Sequence, residues 1–206
     1  MTTTSETMLD RLSQAPQLWN MLRWLAEAGF TGERMAIARE LRPWDGDQRR
    51  FLDLGCGTGE FASEFPAGRY VGVDPTTAYL RFAAHNRPGH YLASVGEALP
   101  FRNESFDAAL VCGVLHHLPD AVAQAAMAEL ARVLRPEATV LVMEDIPPPA
   151  GDNPAGQLMH ALDRGGHIRN DQDYADLFGS QFTITDQYTL RSGICDYAAY
   201  VLQRLP

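Results

Sequence analysis

Apolar positions along the 206-residue chain fall into two patterns. Short continuous runs at 51–54, 70–74, 91–93, 106–112 and 139–144 predict strands buried on both faces. The stretches 58–64, 76–84 and, most clearly, 120–134 repeat their apolar residues at helical spacing. Short strands separated by helices call for a parallel sheet covered on both sides. The end of the chain reads differently. Runs at 182–189 and 194–202 are strand-like and are joined by Leu190-Arg191-Ser192-Gly193, which predicts an antiparallel hairpin.

Residues 1–47 read as helical. Pro16 suits a first turn and Gly29 a stop, with Leu18, Met21, Leu22 and Leu25 on one face between them. A second short helix over 33–41 ends before Pro43. The expectation is a single α/β domain over 1–206 with a Rossmann-like, doubly wound sheet. Residues 1–47 would be an N-terminal helical lid with Trp19 and Trp24 available to cover a pocket. Residues 48–145 would be the core, and 146–206 a substrate-side segment ending in the hairpin.

Composition narrows the function. A net charge of −9 lacks the basic footprint that phosphate neutralisation needs, so no nucleic-acid partner is expected. All 17 basic residues are arginine, which excludes a catalytic lysine. Cys56, Cys112 and Cys195 are too widely spaced for a CxxC metal or redox pair. The opening MTTTSETMLD lacks the features of a signal peptide and no apolar run is long enough to span a membrane. A cytoplasmic protein with no membrane partner is the expectation.

The most informative stretch is FLDLGCGTGEF, where the first strand runs into Gly55, Gly57 and Gly59. In doubly wound sheets ligands bind beyond the carboxyl ends of the strands, and glycine lets them approach the main chain. Dinucleotide loops read GxGxxG, whereas this one reads GxGxG with Asp53 ahead of it. A carboxylate there suits a cationic ligand, such as a sulfonium or an ammonium group. The second strand ends at Asp74, 19 residues after Gly55, near the spacing at which an acidic residue takes a ribose diol. Alone, an Asp at a strand end reads as a helix cap, and Thr76 could equally cap the next helix, but together with the glycine loop the ribose role is favoured.

Four ordered blocks, LDLGCGTGEF, YVGVDPT, GEALPFRNESFDAALVCGVLHHLPD and ELARVLRPEATVLVMED, resemble the class I S-adenosylmethionine-dependent methyltransferases. The closest resemblance is to the small-molecule branch typified by quinone-biosynthesis enzymes, and it covers about residues 51–145. It implies a seven-stranded, mostly parallel sheet with a reversed last strand, and S-adenosylmethionine as cofactor. It further implies that Gly55, Gly57 and Gly59 back the methionine part, Asp53 orients its ammonium group and Asp74 takes the ribose. Gly96 and Glu97 would lie beside the adenine, with Cys112 and Gly113 on the far wall. Two positions depart from the pattern. Val95 stands where relatives commonly carry an aspartate that approaches the adenine, and RVLRPEA replaces RVLKPGG before the fifth strand.

Methyl transfer from a sulfonium is an in-line displacement that needs positioning above all, and a hydroxyl acceptor gains from a general base. His117, just past the fourth strand, is the leading base candidate and His116 its competitor. After the fifth strand come Glu144, Asp145, His160, Asp163, His167 and Arg169, and Arg191 lies in the hairpin. His167, Arg169 and Arg191 are candidates for contact with the acceptor, the arginines through a carboxylate or phosphate. No metal spacing is evident. The place where amine and amide methyltransferases carry Asn/Asp-Pro-Pro-aromatic reads CGVLHH here, which points to a small-molecule acceptor, with oxygen the expected site of methylation ahead of nitrogen or carbon. The alternative is a non-catalytic protein that binds the same cofactor.

Overall fold

The computed structural model describes residues 24–42, 48–146, 153–154, 156–157 and 166–206. Residues 16–23 of the predicted first helix, with Trp19, and His160 and Asp163 lie outside these residues, while 24–26 are helical.

Seven strands form one sheet: β1 (Phe51–Leu54), β2 (Tyr70–Asp74), β3 (His90–Ala93), β4 (Phe106–Cys112), β5 (Leu134–Asp145), β6 (Phe182–Ser192) and β7 (Cys195–Arg204). Their order is β3-β2-β1-β4-β5-β7-β6. The first five run parallel, and β7 runs antiparallel to both neighbours. The order reverses between β1 and β4. A crevice for ligands belongs at that switch point, beyond the carboxyl ends of the strands.

Alternate residues of β1 feed two cores. Leu52 and Leu54 pack with Val73, Val111 and Val142 beneath helices α3 (Asp120–Val133) and α4 (Asp171–Leu177). Ala123, Met127 and Leu130 give α3 its buried stripe at helical spacing. Phe51 points the other way, into a cluster with Phe61, Phe65, Tyr70, Leu110 and Met143. That cluster includes Phe30, Ile37 and Leu41, at and around α1 (Thr31–Glu40). Among the described residues, the expected lid segment therefore contributes a helix packed into the core. Helix α2 (Thr77–Asn86) joins β2 to β3.

Three local readings change. The helix expected at 58–64 is a run of turns closing in a 3-10 turn at Ala62–Glu64. Pro66 forces Phe65 into an extended conformation, so too little chain is left for a helix. Strand β5 begins at Leu134, five residues before the apolar run. Its register with β4 jumps where Glu137 takes φ 66° in the RPEA turn. The hairpin strands are longer than expected, because the bend tightens around Gly193 at φ 58°.

Candidate functional site

The glycine loop leaves β1 with Gly55, Gly57 and Gly59 all at positive φ. The Gly55 and Cys56 amides both donate to the Val73 carbonyl, at 2.8 and 3.0 Å, which ties the loop to β2. A Cβ on Gly55 would lie 2.3 Å from Val114, and one on Gly59 would lie 2.6 Å from the Tyr91 hydroxyl. A Cβ on Gly57 would meet nothing within 4 Å. The loop is thus closed on its flanks and open at its centre, where a ligand can lie against the main chain.

Asp74 ends β2 with its carboxylate turned into this loop. Oδ2 accepts from the Gly57 amide at 3.0 Å and Oδ1 from the Thr76 amide at 2.7 Å. Asp74 thus holds both the centre of the glycine loop and the turn before α2.

Asp53 is 3% exposed and shares the face of Phe51. Its Oδ2 accepts from the Tyr70 hydroxyl at 2.6 Å. Burial, opposed by that hydrogen bond and reinforced by the charge of Asp74, pushes its carboxyl up to about 7. Burial, followed by the charges of Asp53 and Asp74, pushes the neighbouring Cys56 thiol far above its usual range, so that thiol is inert. A carboxyl poised near neutrality beside an acidic partner gains from a cation.

Gly96 packs against Leu54 and Ala126, which places it beside the end of β1. Val95 and Glu97 flank it on the exposed side, with Val95 45% exposed. Val95 offers no carboxylate at this place. Cys112 ends β4, half-buried, and Gly113 donates to the Met143 carbonyl at 2.8 Å.

The loop after β4 is organised by Glu144, whose role the sequence did not disclose. Glu144 is fully buried at the end of β5. Oε1 accepts from the Val114 and Leu115 amides at 3.1 and 2.8 Å. Oε2 meets the His116 amide at 3.1 Å and His116 Nδ1 at 2.7 Å. His116 is buried, whereas His117 is exposed, and their ring centroids are 4.1 Å apart.

Arg169 does not present itself to an acceptor. It is 8% exposed, and all five of its N–H donors are engaged within the protein. It donates to the carbonyls of Leu115, His167 and Leu118 and twice to Asp120 Oδ1. The His167 amide donates to the His116 carbonyl at 3.0 Å, while the residue itself is exposed. Arg191 Nε donates to Asp196 Oδ1 across the hairpin at 2.6 Å. The two arginines hold the backbone and the hairpin respectively, a pattern that spacing alone could not separate from anion binding. Among the described residues no group of three or more His, Cys, Asp or Glu side chains is arranged to hold a metal ion. None of the described helices is long and apolar enough to cross a membrane.

Residues 52–142 match the family model described as Methyltransferase domain. A methyltransferase of uncharacterised substrate from Mycolicibacterium vanbaalenii is 39% identical over 114 residues, covering 53% of this chain and 37% of its own. A demethylmenaquinone methyltransferase from Roseiflexus is 36% identical over 125 residues, or 57% of this chain and 48% of its own. The chain thus spans less than half the length of these relatives. In structure, the chain resembles a geranyl diphosphate C-methyltransferase from Streptomyces coelicolor solved with S-adenosyl-L-homocysteine, at TM-score 0.67 and 13% identity over 84% of this chain and 75% of that one. An S-adenosylmethionine-dependent methyltransferase from Methanosarcina mazei gives TM-score 0.59 and 17% identity, over 76% and 92% of the two chains. Residues 52–142 thus match a methyltransferase domain, and the glycine loop and strand order of the chain are those of the class I S-adenosylmethionine-dependent methyltransferase fold.

Proposed function

We propose that the protein transfers a methyl group from S-adenosylmethionine to an oxygen of a small-molecule acceptor. The observation that carries the reading is the loop centre at Gly57, open to a ligand and held by the Asp74 carboxylate. When bound, the cofactor supplies an electrophilic methyl on a sulfonium. Gly55, Gly57 and Gly59 would take its methionine part against the backbone, and Asp53 would balance its positive charge. Asp74 would receive the ribose hydroxyls on lone pairs not used by the two amides. Gly96, Glu97 and Cys112 would wall the adenine, with Val95 offering an apolar face where a hydrogen-bonding carboxylate is absent.

The acceptor would enter over the loop carrying His116 and His117, which adjoins the glycine loop through Val114 and Gly55. His117 and His167, both exposed there, would line the approach to it. The demethylmenaquinone relative supports a small acceptor of quinol type as the first to try. Calorimetry with S-adenosylhomocysteine tests the cofactor site, and release of that product from S-adenosylmethionine across a panel of phenols and quinols tests the transfer. Binding without turnover on any acceptor would favour the non-catalytic alternative. Absence of binding at millimolar ligand would end both.

A further inference from the structure

The structure assigns Arg34 a positioning role toward the cofactor: through Glu60 it fixes the exit of the glycine loop against α1, so that cofactor binding and the seating of this N-terminal helix stabilise each other. This rests on the methyltransferase reading above, which puts the cofactor on the glycine loop.

Glu60 directly follows Gly59, the last glycine of that loop. Its carboxylate lies between two arginines. Oε1 accepts from Arg34 of α1 at 2.5 Å, and Oε2 accepts from Arg87, at the end of α2, also at 2.5 Å. Arg34 further donates to the Glu60 carbonyl at 3.3 Å and to Glu64 Oε1 at 2.5 Å. One guanidinium therefore holds both the main chain and the carboxylates of the loop exit. Its Nε turns the other way and donates to the Gly29 carbonyl at 3.2 Å. That carbonyl belongs to Ala28-Gly29-Phe30, a run with all three residues at positive φ, which side chains disfavour. Arg34 thus clamps the strained entry to α1 and the exit of the glycine loop at once. Phe30 and Phe61 meet edge to face at 5.7 Å across the same junction.

An exposed ion pair would transmit little. Here the Glu60 and Glu64 side chains are only 15% and 17% exposed, so solvent and salt screen them weakly. The planar guanidinium also fixes the directions of its four acceptors, which a lysine ammonium would not. Asp74 holds the centre of the loop at Gly57 from the β2 side, and Arg34 and Arg87 hold its end. A loop fixed in this way loses less freedom when a ligand is laid on it. By linkage, the ligand returns the same free energy to the clamp.

Calorimetry with S-adenosylhomocysteine on Arg34→Gln, Glu60→Gln and the double variant tests the coupling. Arg34→Gln should weaken binding by about fivefold or more. Glu60→Gln should weaken it too, since one of its two oxygens becomes an NH2 group facing an arginine. The loss in the double variant should fall short of the product of the two single losses, because both remove one shared contact. In the wild-type protein the ligand should slow hydrogen exchange at residues 29–41. That protection should vanish in Arg34→Gln while protection of β2 remains. A merely structural role would lower the melting temperature and leave the affinity of the folded protein unchanged. Unchanged affinity in the single variants, or a double loss equal to their product, overturns the proposal. Should Arg34→Gln fail to fold, Glu60→Gln decides alone, because it leaves Arg34 its contacts with Gly29 and Glu64. Failure of the wild-type protein to bind S-adenosylhomocysteine would sink the methyltransferase reading itself and this proposal with it, an outcome distinct from tight binding that the variants do not alter.

Discussion

Replacing Glu33 by Gln should stabilise the protein, increasingly so as the pH rises. Glu33 is in the first turn of α1 and fully buried. The Glu27 carboxyl and the Ser192 hydroxyl lie beside it, and Glu27 itself accepts from the Tyr197 hydroxyl at 2.8 Å. Burial first, and Glu27 next, push the Glu33 carboxyl from 4.5 up to about 8. A raised carboxyl of this kind contributes its full stability below pH 4.5, and that stability is lost as pH rises through 8. Each pH unit between those values corresponds to about 1.4 kcal/mol. At pH 7 the loss spans about 2.5 units, or roughly 3 kcal/mol, because the unfolded chain releases the proton that the folded one retains.

Glutamine keeps the shape of the neutral acid and cannot ionise, so its stability should not slope over this range. Urea unfolding of both proteins at pH 5, 6, 7 and 8 measures the difference. The two should be close at pH 5, and the variant should lead by roughly 3 kcal/mol at pH 7. Parallel pH profiles would refute the reasoning, since they would mean that Glu33 is ionised or exposed in the folded state.

Three other outcomes follow from the site and its frame. S-adenosylmethionine affinity should rise as pH passes through about 7, where Asp53 ionises, and Asp53→Asn should flatten that profile in calorimetry; a flat wild-type profile would remove Asp53 from the charge balance. Asp74→Ala should weaken S-adenosylhomocysteine binding by about 1.5–3 kcal/mol and also lower the melting temperature, because the Gly57 and Thr76 amides lose their acceptor. Glu137→Gly should stabilise by about 0.5–1 kcal/mol, the strain of φ 66° exceeding the added chain entropy, and a loss of stability in denaturant would contradict it.

Much of the fold was legible because the central strands β1, β2 and β4 are short, apolar and largely buried on both faces, so their runs alone marked them. The glycine spacing likewise placed the ligand loop. What the pattern concealed was where polar side chains are satisfied. Glu144 looks in sequence like one more acid after a strand, yet it receives four donors from residues 28 to 30 positions earlier. Arg169 looks like an anion binder on a loop, yet every donor goes to protein atoms. Helix α4 was missed although its signal was present: Asn170 caps it through the Asp173 amide, and Tyr174, Leu177 and Phe178 repeat at helical spacing. Its first turn is so acidic that the stretch reads as a solvated loop.

The two halves of the sheet solve one problem in the same way. Each inner strand, β1 and β4, ends in a loop that must present backbone to a ligand at the switch point. In each half the next strand outward, β2 or β5, ends in a carboxylate that accepts amides of that loop: Asp74 for the glycine loop and Glu144 for the histidine loop. The loops touch where Val114 fills the space that a side chain on Gly55 would need. A ligand entering between them meets main chain already fixed from both flanks, so less ordering entropy is lost on binding. This also explains why acidic residues gather around the crevice of a chain that is already negative. Asp74 and Glu144 are occupied largely by N–H groups, whereas Asp53 is buried against the Tyr70 hydroxyl, its carboxyl pushed up to about 7 chiefly by burial.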